Sequence, residues 1–243
     1  MSIKLLGKQS LVYGFGHVIT RLVTFLLLPL YTNQFTPEQY GIVALFYTFV
    51  PLLNIVVRYG MGAAFLKNYV PANEEDRMSI MTNVIISLVL TGIPFVLLFY
   101  FFREDLSLVF FGVVKPSYVV MMGIIIFLDT IWSIPMLALR AENRSRLFIF
   151  FSFLNVGVTL LCNLVFIIIF KMNIGSIFLS NLIASLIIFI LVLPYIYQRF
   201  RFSSLSIVKW KTILSFALPF LPAGLFAMAM EVADRYILKF CLL

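Results

Sequence analysis

Apolar runs long enough to cross a bilayer alternate with short polar stretches along the whole chain. A template of roughly 20 residues per membrane helix predicts seven spans, at about 11–31, 41–58, 80–102, 117–139, 147–170, 174–197 and 212–240. Within several spans the polar residues recur at steps of 3 and 4. The first span has Ser10, Gly14, His17, Arg21 and Thr24, and the second has Thr48, Pro51, Asn54 and Arg58. The third has Asn83, Ser87 and Thr91, and the fifth Ser152, Asn155, Thr159 and Asn163. That spacing gathers each set on one helical face. Lipid cannot satisfy such groups, so the faces are expected to meet other helices or a wet interior. Seven prolines (29, 51, 94, 135, 194, 219 and 222) lie in or at the ends of spans, where each removes a backbone hydrogen bond and favours a kink. The pair Pro219 and Pro222 is expected to bend or break the last span. Thr36-Pro37-Glu38-Gln39 reads as an N-cap, a proline at N1, an acid in the first turn and a capping-box glutamine.

Composition strengthens this picture. Of 243 residues, 63% are apolar and 12% charged, and mean hydropathy is +1.08. A soluble fold of this size could not hide so much apolar surface. The expected fold class is therefore all-α, a polytopic membrane helix bundle. Net charge is +8, and membrane topology accounts for it without nucleic acid. On one set of alternate loops stand twelve basic residues, namely Lys4, Lys8, Arg58, Lys67, Arg77, Arg140, Arg144, Arg146, Arg199, Arg201, Lys209 and Lys211. The other set has three, Arg103, Lys115 and Lys171. The bias predicts a cytoplasmic N-terminus. Cys162 and Cys241 lie inside apolar runs and read as buried small hydrophobes. One histidine is too few for a multi-histidine metal site, and no metal or cofactor is expected. The apolar run still open at Leu243 fits half of a longer transporter better than a protein ending on a very short tail.

Charges at membrane depth carry the functional expectation. Arg21 sits near the middle of the first span, where arginine costs at least about 2.5–3.5 kcal/mol against lipid. It needs water, an acid or an anionic ligand. Asp129 is similarly central in the fourth span, so an Arg21–Asp129 ion pair is one solution and an anionic substrate the other. Glu231, Asp234 and Arg235 share a face near the end of the last span, where an interfacial charge cluster is at least as good a reading as a transport site. No nucleophile–base pair and no large extracytoplasmic loop support an enzyme.

Thr-Pro-Glu-Gln-Tyr-Gly at 36–41, after a first span ending Leu-Pro-Leu-Tyr-Thr (28–32), resembles the polysaccharide-biosynthesis branch of the multidrug/oligosaccharidyl-lipid/polysaccharide flippase superfamily. Arg58-Tyr59-Gly60 with Ala64-Phe65, the loop 139–144, the run 218–222 and Asp234-Arg235-Tyr236 are similar to the same pattern. The resemblance covers essentially the whole chain. It implies one lobe of a two-lobe transporter of 12–14 helices, with residues 1–200 as a six-span first lobe. Residues 201–243 would be a basic cytoplasmic loop and the first helix of a truncated second lobe. It also implies export of a polyprenyl-pyrophosphate-linked oligosaccharide across the bacterial cytoplasmic membrane, as in O-antigen, lipopolysaccharide or capsule assembly, with glycan polymerase and glycosyltransferase machinery as partners. In that reading Arg21 meets the pyrophosphate, with His17 and Arg58 assisting, and Asn54, Asp129 and Asn155 line the cavity. Alternatives are a multidrug or cation antiporter of the same superfamily and a membrane-embedded glycan polymerase or ligase. The single lobe is not expected to transport by itself.

Overall fold

The computed structural model describes residue 27 and residues 29–241, with side chains described as far as Met230. All regular elements among the described residues are helical. Residues 29–34 close the first span. There follow α1 (Pro37–Arg58), α2 (Met61–Tyr69), α3 (Glu74–Phe101), α4 (Arg103–Phe111) and α5 (Pro116–Ala141). After them come α6 (Ser145–Leu164, continued by a π-helical turn Val165–Ile169), α7 (Gly175–Arg199), α8 (Ile207–Ala217) and α9 (Phe220–Cys241). Among the described residues six helical segments are long and apolar enough to cross a membrane, α8 and the start of α9 together forming the sixth. Most of the first predicted span lies outside the described residues.

Local chemistry sets the boundaries. Residues 36–39 form a complete capping box, with the Thr36 hydroxyl accepting from Gln39 N and the Gln39 side chain accepting from Thr36 N. This starts α1 at Pro37, four residues before the apolar run that marks it in the sequence. Asn73 caps α3 by accepting from Asp76 N, and three acids fill the first turn, where they complement the helix dipole. The last span breaks at Leu218–Pro219, as its prolines predict. Two short helices were not predicted. The stretches 58–79 and 103–116, read as loops, hold α2 and α4, whose 9 residues each are too few to register against a membrane-length template.

α5 is the hub of the bundle, packing against α1, α2, α3, α4, α6 and α7. Its most apolar stretch is 67% buried inside the protein, against 11% for α6. Sequence hydropathy cannot separate these two helices because lipid and protein interior are equally apolar. The core has two layers. Phe46, Val57, Phe99, Tyr118, Ile126 and Phe178 belong to one. Tyr59, Met61, Phe65, Tyr69, Ile131 and Ile134 belong to the other, nearer the basic loops. The break between layers falls between Val57 and Tyr59 on one strand of chain and between Ile126 and Ile131 on the other, which is where Arg58 and Asp129 lie.

Candidate functional site: a polar seam across the bundle

Asp129 is 13 residues into a 26-residue helix, about 18–20 Å from either end. Arg58 is the last residue of α1. There Tyr59 (φ 34°) and Gly60 (φ 79°) take left-handed conformations, ending α1 inside the bundle and redirecting the chain into α2. Arg58 Nη2 donates to the backbone carbonyl of Asp129 at 3.2 Å. The Asp129 carboxylate takes its bonds elsewhere, with Oδ1 accepting from the Ser185 hydroxyl at 2.6 Å and from Trp132 Nε1 at 2.9 Å. Beside it Thr130 Oγ1 donates to Asn54 Oδ1 at 3.4 Å, and Asn54 Nδ2 donates to Val50 O. The seam thus joins α1, α5 and α7.

Its electrostatics are unusual in one respect. Arg58 makes no ion pair with a carboxylate among the described residues, and its Nε is buried without a hydrogen-bond partner. A guanidinium held in the bundle with a free N–H is a ready donor to an anionic oxygen.

Of the residues singled out from the sequence, Asn54, Arg58 and Asp129 come together here. Asn155 does not join them. It stands half-buried on α6, where its backbone carbonyl accepts from Thr159. His17 and Arg21 lie outside the described residues, as do the side chains of Glu231, Asp234 and Arg235. Among the described residues the immediate partners of Asp129 are Arg58, Ser185 and Trp132. Ser185 and Trp132 carried no sequence signal, because a serine and a tryptophan in apolar helices are ordinary.

The polar stripes resolve differently from one another. Thr48, Asn54, Thr91, Ser152, Thr159 and Asn163 each donate to a carbonyl four residues back on their own helix, so these donors need neither water nor a neighbour. The α3 stripe instead grips the connector before α8. The Ser79 hydroxyl donates to Ser204 O at 2.7 Å, Thr82 Oγ1 accepts from Arg201 N at 3.1 Å, and Asn83 Oδ1 accepts from Ser206 N at 3.3 Å. Ser87 Oγ bonds the hydroxyl of Tyr59 at 2.7 Å and accepts from Trp210 Nε1 at 3.0 Å.

A second cluster, at the basic end, was not singled out as a site from the sequence. Glu142, 10% exposed at its side chain, pairs with Arg199 at 3.1 Å and Arg144 at 3.2 Å. It also accepts from the hydroxyls of Tyr69 at 2.6 Å and Tyr195 at 3.0 Å. Arg199 stacks 4.0 Å over Tyr195, and Arg77 stands 5.3 Å over Tyr69. Burial and the adjacent Glu142 carboxylate push the Tyr69 hydroxyl up to about 12. A single acid inside a basic loop was the available signal. Among the described residues no group of three or more His, Cys, Asp or Glu could hold a metal ion.

The profile described as "Polysaccharide biosynthesis protein" matches residues 6–242. The chain belongs to that family. No curated protein sequence matches it at a significant level. Among solved structures it is similar to an outward-facing multidrug resistance MATE transporter of the MOP superfamily, with a TM-score of 0.77 and 14% identity over 96% of this chain and 54% of that one. A MATE protein in the straight conformation gives 0.77 and 16% over 96% and 55%. A MOP superfamily transporter from Pyrococcus furiosus, described as having a binding pocket of reversed polarity, gives 0.72 and 15% over 96% and 54%. At these identities the likeness establishes the fold of this family member, a multi-pass membrane bundle. The chain spans about half the length of the solved structures it matches.

Proposed function

We propose that this family member forms the first lobe of a transporter that moves a polyprenyl-pyrophosphate-linked oligosaccharide across the bacterial cytoplasmic membrane, its N-terminus on the cytoplasmic side. The observation that supports this reading best is the unpaired Nε of Arg58 in the polar seam. A membrane-embedded arginine without an ion-pair partner among the described residues favours an anionic ligand, and a pyrophosphate offers oxygens in the geometry a guanidinium fork matches. The neighbouring carboxamide of Asn54, held by Thr130, suits a sugar hydroxyl. Arg21 and His17, on the polar face of the first span, would extend the same cationic surface, and Asn155 would contribute from α6. A reversed pocket polarity, attributed to the Pyrococcus furiosus transporter, gives the superfamily a precedent for such a change in charge. In this reading the lipid tail stays in the bilayer, residues 201–243 begin the second lobe, and glycan polymerase and glycosyltransferase machinery act before and after.

A second reading, a multidrug cation antiporter, draws on Asp129, a carboxylate at mid-membrane depth, and on the MATE likeness. One experiment separates the two. The chain, joined to a facing second lobe that closes the cavity, is expressed in cells lacking a glycan flippase, and lipid-linked glycan export is measured beside ethidium efflux. The anion reading expects Arg58→Ala to lower export at least about tenfold, with Arg58→Lys intermediate because lysine keeps the charge and loses the fork. Full export by stably inserted Arg58→Ala protein overturns it. Ethidium efflux that Asp129→Asn abolishes and Arg58→Ala spares establishes the second reading instead.

A further inference from the structure

At the end of the bundle opposite the basic loops, a cavity of about 380 Å³ lies between the start of α1 and the π-turn and loop that end α6. Pockets that hold small ligands begin near about 300 Å³. In a chain this apolar the lining is unusual. It brings together the carboxamides of Gln34, Gln39 and Asn173 and the ammonium of Lys171, with Phe35 and Ile167 as apolar wall. No acid is among the lining residues, and Lys171 makes no ion pair among the described residues.

Two features of the backbone hold this lining in place. Gln39 is fixed through Oε1, which accepts from Thr36 N at 3.2 Å, leaving its amide NH2 free to donate. Lys171 has φ 48°, a left-handed conformation that glycine or asparagine adopts at far lower cost. Around it the turn is closed by Phe170 N to Val165 O at 3.1 Å and Met172 N to Phe166 O at 2.9 Å. A π-turn inside an α-helical span and a lysine in a left-handed position are both costly, and such costs cluster at binding sites.

We propose that this cavity is a saccharide-binding subsite, separate from the Arg58 seam, for an oligosaccharide unit carrying an acidic group. Carboxamides both donate and accept, which matches vicinal hydroxyls. Phe35 and Ile167 offer an apolar surface to the C–H face of a sugar ring. The ammonium of Lys171 pairs with the ligand's carboxylate. That the ligand is part of a transported glycan rests on the transport reading above, whereas the site itself rests on its lining.

The test uses the protein in lipid nanodiscs, because maltoside detergents carry a competing sugar. Saturation-transfer NMR is recorded with trigalacturonate as the acidic probe and maltotriose as the neutral one. Trigalacturonate is expected to bind saturably and more tightly than maltotriose. Lys171→Gly is expected to weaken trigalacturonate binding about fivefold or more while leaving the thermal midpoint unchanged or raised, since glycine relieves the left-handed residue. Asn173→Ala is expected to weaken both probes. Transfer no greater than in protein-free nanodiscs, or binding unaltered in both variants, overturns the site. A preference for maltotriose that Lys171→Gly leaves unchanged overturns the acidic-group assignment. Intact export with no probe binding removes this site and leaves the transport reading standing. Saccharide binding with normal export by Arg58→Ala does the reverse.

Discussion

Arg58 bonds the backbone carbonyl of Asp129, at 3.2 Å, and not its carboxylate. The two opposite charges therefore share a level of the bundle without an ion-pair contact, and Ser185 and Trp132 both donate to Asp129 Oδ1. This arrangement leaves both groups open to substitution experiments that separate charge from packing.

Asp129→Asn retains an acceptor for Ser185 and Trp132 and removes the charge. It is expected to insert and fold, with a smaller loss of stability than Asp129→Leu, which strands both donors at about 1–3 kcal/mol each. Arg58→Ala combined with Asp129→Ala should show a coupling of about 0.5–3 kcal/mol in a double-mutant cycle. Thermal unfolding in nanodiscs measures both, and strictly additive effects would show that the two residues act independently.

Gly60 is the point where the α1–α2 turn meets the break between α8 and α9. Its φ is 79°, and an added Cβ would collide with the Ala217 carbonyl oxygen and stand 2.7 Å from Phe220 Cβ. Neither neighbour is a flexible side-chain end. Gly60→Ala should therefore cost more than the about 1–2 kcal/mol of a left-handed L-residue alone. It should also loosen α8, which Lys67 holds by resting 3.6 Å over Phe216. Thermal unfolding in nanodiscs would register the loosening, and an unchanged midpoint would contradict it.

Glu142 carries two arginines and two tyrosines from α2, α7 and the loop before α6. Glu142→Ala should destabilise the basic end by about 1–3 kcal/mol, since the Tyr69 and Tyr195 hydroxyls lose their acceptor while the half-exposed Arg144 turns to water. Glu142→Gln should cost less because it still accepts both hydroxyls. Differential scanning calorimetry of the two variants gives the comparison.

The raised Tyr69 hydroxyl makes a pH prediction. Its folded value, about 12, exceeds the usual 10.0, so folding favours the protonated form. The associated stabilisation is complete below about pH 10 and is lost as pH rises towards 12. Stability should fall more steeply across that window in the wild type than in Tyr69→Phe, and equal slopes would remove Tyr69 from the alkaline transition.

Topology is checked by thiol labelling. Cysteines placed at 36 and 104, at one end of the bundle, should react with an impermeant reagent added outside intact cells. Cysteines at 144 and 201, among the basic loops at the other end, should not. The reverse pattern would invert the proposed orientation.

The sequence by itself determined the elements whose causes are local. Apolar runs of membrane length, the Thr36–Gln39 capping box and the proline break at 218–219 each need only nearby residues. The basic asymmetry that argues for an orientation is likewise a property of the sequence, summed over all its loops. Tertiary structure alone decided what each polar group faces. Thr159 and Asn163 turn back on their own helix, whereas Asn83 and Ser87, at the same spacing, reach across to the connector before α8 and to Tyr59 and Trp210. The partners of Asp129 among the described residues are Arg58, Ser185 and Trp132, which come from α1, α7 and its own helix. Lys171 meets Gln34 and Gln39 only because α6 ends beside the start of α1. Helical periodicity fixes which residues share a face, but in a chain this apolar every face looks equally fit for lipid or protein. Only the packing of α5 against its neighbours chooses between them.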